Sequence, residues 1–434
     1  LLCFYLGFLQ TVDATHAVGA DLTYRCISNN NYEVFLRFYR DCGGTTAPSN
    51  PSISIAGSSG CSSVASTLAL SLVSSQEVSQ VCSGSSTSCS GGSIQGTQEY
   101  LYSAQVVLPS GCNFYTLSFE LAARNAIITN LVNPGNADIY IETSINTALA
   151  PCNNSPEFNN IPVLYGCSNQ QILFNHGSFD ADRDSLSFSL INPKQGGGAN
   201  IPFVSGLSPT YPLNLVSGTT FQFDSLNGQM TFTPLASTGQ VAVISVLIEE
   251  FRNGQKIGSI VRDLQIIVLT NCNGSSSVVN SVSPSLGTIN NNIIQFCGGG
   301  ALSINFGISD ADAADVLTAT SDISSIIPGA TVSVSGRNLI NLQINIPTPT
   351  LSNGSYPFSI TINDGGCPIP NVQIIGYSLV VNNNPPTVII NASVDSLCEG
   401  NPVTLTASGA NTLTWDNGLT NGQPFVPSSS NTYT

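Results

Sequence analysis

"YEVFLRFYR", residues Tyr32–Arg40, decides the fold class. On an extended chain Tyr32, Val34, Leu36 and Phe38 fall on one face, with Glu33 and Arg37 on the other. That period of two is the mark of a half-buried strand. The alternation recurs in "YLYSAQVVL" (Tyr100–Leu108), "FYTLSFELA" (Phe114–Ala122) and "ADIYIETSI" (Ala137–Ile145). Clusters of Gly, Asn, Pro and Ser separate these runs, and helical periodicity is nearly absent. Strands divided by turns, without intervening helices, predict an all-β chain of antiparallel β-sandwich domains.

Length and composition set the frame. The 434 residues suffice for three or four domains of ~100–150 residues, each with its own core. With 41% hydrophobic and only 8% charged residues, the chain has enough apolar surface to fold. A net charge of −15 and a pI near 4.2 argue against nucleic acid, which needs clustered Lys and Arg. They suit a soluble extracellular protein or a binder of divalent cations.

The first residues, "LLCFYLGFLQTVDATHA", form a short apolar run followed by a small-residue site. This matches the later part of a secretory signal peptide, so residues 1–17 are expected to be a truncated leader, with a buried N-terminal strand as the alternative. No stretch approaches a membrane span. Six cysteines follow in the first domain (Cys26, Cys42, Cys61, Cys82, Cys89, Cys112) and six beyond it. None forms a CxxC pair and His176 is the single histidine after the leader, so disulfides are expected rather than zinc ligation. The pairing is left open, since six cysteines alone allow 15 connectivities.

Linkers at "ALAPCNNSP" (Ala148–Pro156), "TNCNGSSSVVNSVSPS" (Thr270–Ser285) and "VNNNPPT" (Val381–Thr387) divide the chain into 18–150, 151–271, 272–384 and 385–434. The two middle segments read as repeats. "FDADRDSL" (Phe179–Leu186) aligns with "SDADAADVL" (Ser309–Leu317), each after a cysteine-bearing strand. Each copy ends in a β-run closing in acids, "ISVLIEEFRNG" (Ile244–Gly254) and "FSITINDGG" (Phe358–Gly366). If extended, Asp180, Asp182 and Asp184 share one face at roughly 6–7 Å spacing, and neighbouring pairs repel by about 2–3 kcal/mol at an effective dielectric near 20. Water, a basic partner or a metal ion must offset this.

These motifs carry a resemblance. The Asp-x-Asp-x-Asp-x-Leu stretch, the hairpin "FQFDSLNGQMTFTP" (Phe221–Pro234) and the acid-ended strand resemble bacterial cadherin-like and immunoglobulin-like surface repeats. "LTYRC" (Leu22–Cys26) and "LRFYRDCGG" (Leu36–Gly44) look like the N-terminal module of large secreted surface proteins of Bacteroidota, of the gliding-motility-associated, type IX secretion cargo type. The tail "CEGNPVTLTASGANTLTWDNG" (Cys398–Gly418) is similar to the start of an Ig- or PKD-like repeat, with Trp415 as its core tryptophan.

The resemblance implies tandem Ig-like and cadherin-like sandwiches: a Cys-rich first module, two cadherin-like modules and a partial fourth repeat. It implies a secreted protein at the outer cell surface. The expected function is structural and adhesive without catalysis, the partners being surface polysaccharide or other cell-surface proteins. The alternative is the accessory, carbohydrate-binding region of a larger polysaccharide-degrading enzyme.

By the same resemblance calcium is the expected ion, held by Asp180, Asp182, Asp184 and Glu250 in one repeat and by Asp310, Asp312, Asp315 and Asp364 in the other. Arg183 departs from the family pattern and stands as a competing counter-charge. The bland alternative is a solvated acidic turn. Glu249, Glu250, Arg252, Arg262 and Asp263 form the densest charge group, of which Arg252, Arg262 and Asp263 are expected to form cross-strand ion pairs.

Overall fold

The computed structural model describes residues 17–236, 239–270, 272, 274–297, 300–312, 315–347, 351–383, 388–410, 413–427 and 433. All of the expected leader except Ala17 lies outside these residues, as does the expected boundary at 384/385. The chain is nearly all β, in agreement with the sequence reading.

The first module contains β1 (Ala17–Ser28), β2 (Asn31–Asp41), β3 (Ser52–Gly57), β4 (Thr67–Ala69), β5 (Ser71–Glu77), β6 (Thr97–Val107), β7 (Tyr115–Leu121) and β8 (Ile139–Ile145). Strands β1-β2-β6-β5 form one layer and β4-β3-β7-β8 the other. The alternation of β2 plays out as read: Tyr32, Val34, Leu36 and Phe38 are buried, facing Tyr115, Leu117 and Ile141 across the sandwich.

The second module runs through β9 (Glu157–Phe158), β10 (Val163–Cys167), β11 (Ile172–Phe174), β12 (Ser178–Phe179), β13 (Ser185–Ile191), β14 (Lys194–Gln195), β15 (Ala199–Asn200), β16 (Gln222–Phe223), β17 (Met230–Phe232), β18 (Val241–Arg252) and β19 (Gln255–Leu269). The third has β20 (Val278–Pro284), β21 (Thr288–Asn290), β22 (Ile293–Phe296), β23 (Leu302–Ser309), β24 (Thr318–Ser321), the one-turn helix α1 (Ile323–Ile326), β25 (Thr331–Gly336), β26 (Leu339–Ile346), β27 (Gly354–Asn363) and β28 (Val372–Val381).

The two share one plan. Layers β10-β19-β18-β13 and β11-β17-β16 correspond to β22-β28-β27-β24 and β23-β26-β25. In each, an early strand runs parallel to the last, β10 with β19 and β22 with β28, a departure from a wholly antiparallel sandwich. Register agrees to the residue. Leu186 pairs with Glu250, and continuing the pairing of Thr318 with Asn363 sets Leu317 against Asp364. The fourth segment contributes β29 (Ile389–Ala392), β30 (Val403–Ser408) and β31 (Pro424–Phe425). Each repeat places a cysteine five residues before a strand: Cys167 before Ile172, Cys297 before Leu302, Cys398 before Val403. Trp415 is half-buried and donates to Asn421 Oδ1 (3.1 Å), while Val403 and Ala407 are the buried apolar residues there.

Strand pairing crosses the expected boundary at residue 150. β19 pairs with β8 of the first module over Gly258–Ile260, and Asp263 of β19 faces Ala20 of β1. A further core of Val18, Tyr39, Val163, Tyr165 and Val243 fills the junction. Buried charge is paired there: Arg262 Nε meets Asp21 Oδ1 at 3.3 Å, and Arg124 Nη2 meets Asp263 Oδ2 at 2.5 Å. The expected ion pairs of Arg262 and Asp263 therefore run to the first module. Between β18 and β19 the cross-strand pair is Lys256 with Glu249 (2.6 Å).

The third module packs on the second through the outer face of β28, whose Val372 and Ile374 join the second core. A Cβ at Gly376 would lie 2.4 Å from Asn175 Nδ2, so any side chain there must displace Asn175.

Disulfides reinforce this packing. Cys42–Cys89 and Cys61–Cys112 close within the first module, and Cys167–Cys272 ties β10 to the linker that follows β19. Cys26–Cys152 ties β1 to the linker, and Cys82–Cys367 staples the first module to the third. Cys297 and Cys398 are unpaired and exposed.

Candidate functional site

The first acidic motif is a turn and not an extended strand. Asp180 Oδ1 accepts the backbone N–H of Asp184 (2.9 Å), the Asp180 carbonyl accepts that of Arg183 (3.2 Å), and Arg183 itself has φ 66°. The alternate aspartates consequently do not share a face. Carboxylate oxygens of Asp180, Asp184 and Glu250 converge within 4.8 Å of one another. Asp182 turns to the preceding linker, accepting from Asn154 N (2.8 Å) and Nδ2 (2.9 Å).

Glu250 forms the floor of the site and is fully buried. Its Oε1 accepts from Asn153 Nδ2 (2.7 Å), while its Oε2 has no hydrogen-bond partner. Gly258 on β19 makes the room: a Cβ there would stand 2.5 Å from Glu250 Oε2 and 3.1 Å from both Tyr24 Oη and the Ser144 carbonyl. The site is thus bounded by the first module as well as the second. Asp180 Oδ2 is also buried without a partner.

Charge explains the electrostatics. Burial, then the neighbouring Asp180, pushes Glu250 up to about 9. Burial, with Asp184 and Asp182 beside it, raises Asp180 to about 6. Among the described residues Arg252 is the cation paired with these carboxylates, its Nε and Nη2 reaching Asp184 Oδ1 (2.8 Å) and Oδ2 (2.5 Å), with Asp182 at 3.4 Å. Arg183 does not compete for the site. Its guanidinium lies 5.0 Å from the Tyr356 ring centroid and donates to Ser352 Oγ (3.0 Å), both on the third module.

The second turn repeats the plan with different satisfaction. Asp310, Asp312 and Asp315 converge as the first trio does. Here hydroxyls fill the acceptors. Ser275 Oγ lies 3.0 Å from Asp310 Oδ1 and 2.7 Å from Asp312 Oδ2, and Ser277 Oγ lies 3.0 Å from Asp310 Oδ2. The Ser275 hydroxyl and then its N–H lower the Asp312 pKa. Asp364 stays outside the tight cluster, its Oδ1 accepting from Gly366 N (2.8 Å) and Asn371 N (2.9 Å). Burial, with smaller contributions from Asp315 and Asp310, raises its pKa.

A common role emerges for the middle aspartates. Asp182 accepts the N–H of linker residue Asn154, and Asp312 that of linker residue Ser275 (2.5 Å). Each clamps the chain entering its repeat. The linker residues Asn153, Asn154, Ser275 and Ser277, together with Gly258 and Tyr24, escaped the sequence reading. The available signal was "PCNNSPE" (Pro151–Glu157) and "NCNGSSS" (Asn271–Ser277), each a cysteine followed by polar residues ahead of an acidic turn.

All-oxygen, carboxylate-rich donors suit a hard divalent cation. The first turn fits one better, because two buried carboxylate oxygens there lack any donor. In the second, serines answer both oxygens of Asp310 and Oδ2 of Asp312.

No protein-family model matches the sequence, and no curated protein matches it. Solved structures similar to the chain include tandem Ig repeats of Dlar (12% identity, 52% of this chain and 97% of that one, TM-score 0.21). The N-terminal four Ig domains of a Dscam1 isoform are similar at 11% identity over 92% of this chain and 87% of that one (TM-score 0.21). The human Desmocollin-1 ectodomain is similar at 10% identity over 85% and 66% (TM-score 0.18). At such TM-scores these likenesses carry no argument about function.

Proposed function

We propose that the chain is a non-catalytic, extracellular repeat protein. Its three packed β-sandwiches form a stiff unit that binds other cell-surface molecules, with calcium held by Asp180, Asp184 and Glu250. The observation that carries the calcium reading is the pair of orphaned buried oxygens, Asp180 Oδ2 and Glu250 Oε2, in one carboxylate cluster. A divalent cation would satisfy both and cancel the repulsion that Arg252 leaves uncompensated. Five disulfides suit an oxidising compartment outside the cell. Among the described residues no helix is long and apolar enough to cross a membrane. The finer reading, a Bacteroidota surface protein exported by the type IX route, rests on the sequence motifs of the first module and tail.

Calcium bound only by the folded state stabilises it by RT ln(1 + [L]/Kd), about 2.7 kcal/mol at a hundredfold excess over Kd. Thermal unfolding in calcium and in EDTA tests this. A higher midpoint in calcium, lost in Glu250→Gln, is expected. An unchanged midpoint removes calcium from the proposal.

A further inference from the structure

Between the second and third modules lies a cleft of about 350 Å³ that meets the acidic turn at one end. Its floor is made by Phe188, Phe358 and Tyr377, each at least 95% buried. Two polar groups on its wall have no partner within the fold. Ser178 is 8% exposed and its Oγ makes no hydrogen bond, and Asp180 Oδ2 is likewise unanswered. Asn175 beside them, by contrast, is satisfied: it donates to the Asn227 carbonyl (3.0 Å) and accepts from Gly177 N (2.9 Å). Unanswered polar atoms over an apolar floor are what a small-molecule site requires.

From this we infer that the cleft binds a neutral, hydroxyl-rich ligand of one or two sugar rings. The volume sits at the small end of the ~300–1,000 Å³ typical of ligand sites. An anion would face Asp180 and Asp184. A cation would face Arg183, which lines the cleft and clasps Tyr356, and would find Asp184 already paired with Arg252. A purely apolar ligand would gain nothing from Ser178 Oγ and Asp180 Oδ2, which would stay unpartnered. Sugar hydroxyls answer both atoms, and the C–H face of a pyranose covers the aromatic floor. The inference shares Asp180 with the calcium reading but does not require the ion.

Saturation-transfer NMR on the full chain tests it. The probes are glucose, galactose, mannose, maltose and cellobiose, with glucose 6-phosphate and lysine methyl ester as charged controls. At least one neutral sugar is expected to bind with a Kd of about 0.1–10 mM, more tightly than either control. Ser178→Ala should weaken it about three- to tenfold. Its melting midpoint should hold, because Ser178 Oγ makes no bond in the fold. Failure of every neutral sugar, stronger binding of a charged control, or undiminished binding by Ser178→Ala would overturn the proposal. Parallel titrations in calcium and in EDTA, with midpoints measured on the same samples, separate the two readings. Sugar binding without a calcium-induced midpoint shift sinks calcium alone, and the reverse sinks the cleft alone.

Discussion

Removing the Cys82–Cys367 bridge by Cys82→Ser with Cys367→Ser should destabilise the molecule by about 3–5 kcal/mol. The two cysteines are 285 positions apart, but Cys167–Cys272 provides a short cut. The Cys42–Cys89 and Cys26–Cys152 bridges shorten the way further, so the shortest remaining covalent path is 7 residues from Cys82 to Cys89, 16 from Cys42 to Cys26, 15 from Cys152 to Cys167 and 95 from Cys272 to Cys367, 133 in all. Closing a loop of that size lowers the entropy of the unfolded chain by about 17 cal/mol/K, or about 5 kcal/mol at 25 °C. Measured bridges commonly give less, typically 2–4 kcal/mol, hence the lower bound. Urea unfolding followed by Trp and Tyr fluorescence is the assay, with limited proteolysis reporting whether the third module opens before the second. A midpoint equal to that of the parent would refute the reasoning. It would mean that the unfolded chain gains no freedom when the staple is lost.

Three further perturbations probe the site and the junction. Folded Glu250 titrates near 9 and its unfolded counterpart near 4.5, so its contribution to stability is whole below about pH 4.5 and lost as pH rises toward 9. In EDTA, parent stability should fall relative to Glu250→Gln by about 1–3 kcal/mol between pH 5 and 8, and parallel urea-derived curves would contradict this. Arg183→Ala should cost about 1 kcal/mol through the lost Tyr356 and Ser352 contacts, whereas Arg183→Gly should recover part of that by relieving the left-handed backbone; equal stabilities of the two variants would count against strain at this position. Gly376→Ala should cost about 1–3 kcal/mol because its methyl meets Asn175, and a neutral effect in thermal melts would show that the β28 face does not pack as described.

Strand periodicity was readable because β2, β6, β7 and β8 each bury alternate residues between the two layers of one module. The repeat was readable to the residue: aligning Leu186 with Leu317 places Glu250 and Asp364 at matching positions. Side-chain direction in the acidic turn was not, because it hinges on Arg183 adopting a positive φ, which a non-glycine residue seldom does. Once the chain reverses there, Asp182 faces the linker and Arg183 the third module. Arg252 looked like a ladder residue, yet its length carries the guanidinium past the sheet edge to Asp184. The staple from Cys82 to Cys367 depends on packing between modules 285 residues apart, which local pattern does not encode.

The strand shared by two modules has a consequence for the order in which the chain can finish folding. Emerging N-terminus first, the first module reaches Ile145 with β8 still lacking its neighbour, because that neighbour is β19. The 124 residues from Ile145 to Leu269 take roughly 6–25 s to appear at ~5–20 residues per second. Until β19 arrives that edge of β8 is covered only at Tyr140, by Lys194 of β14, and the rest of it is the kind of surface that captures stray strands. Completion of the N-terminal module is thus timed by the arrival of the end of the second. A chain interrupted near residue 150 would be left with that edge open.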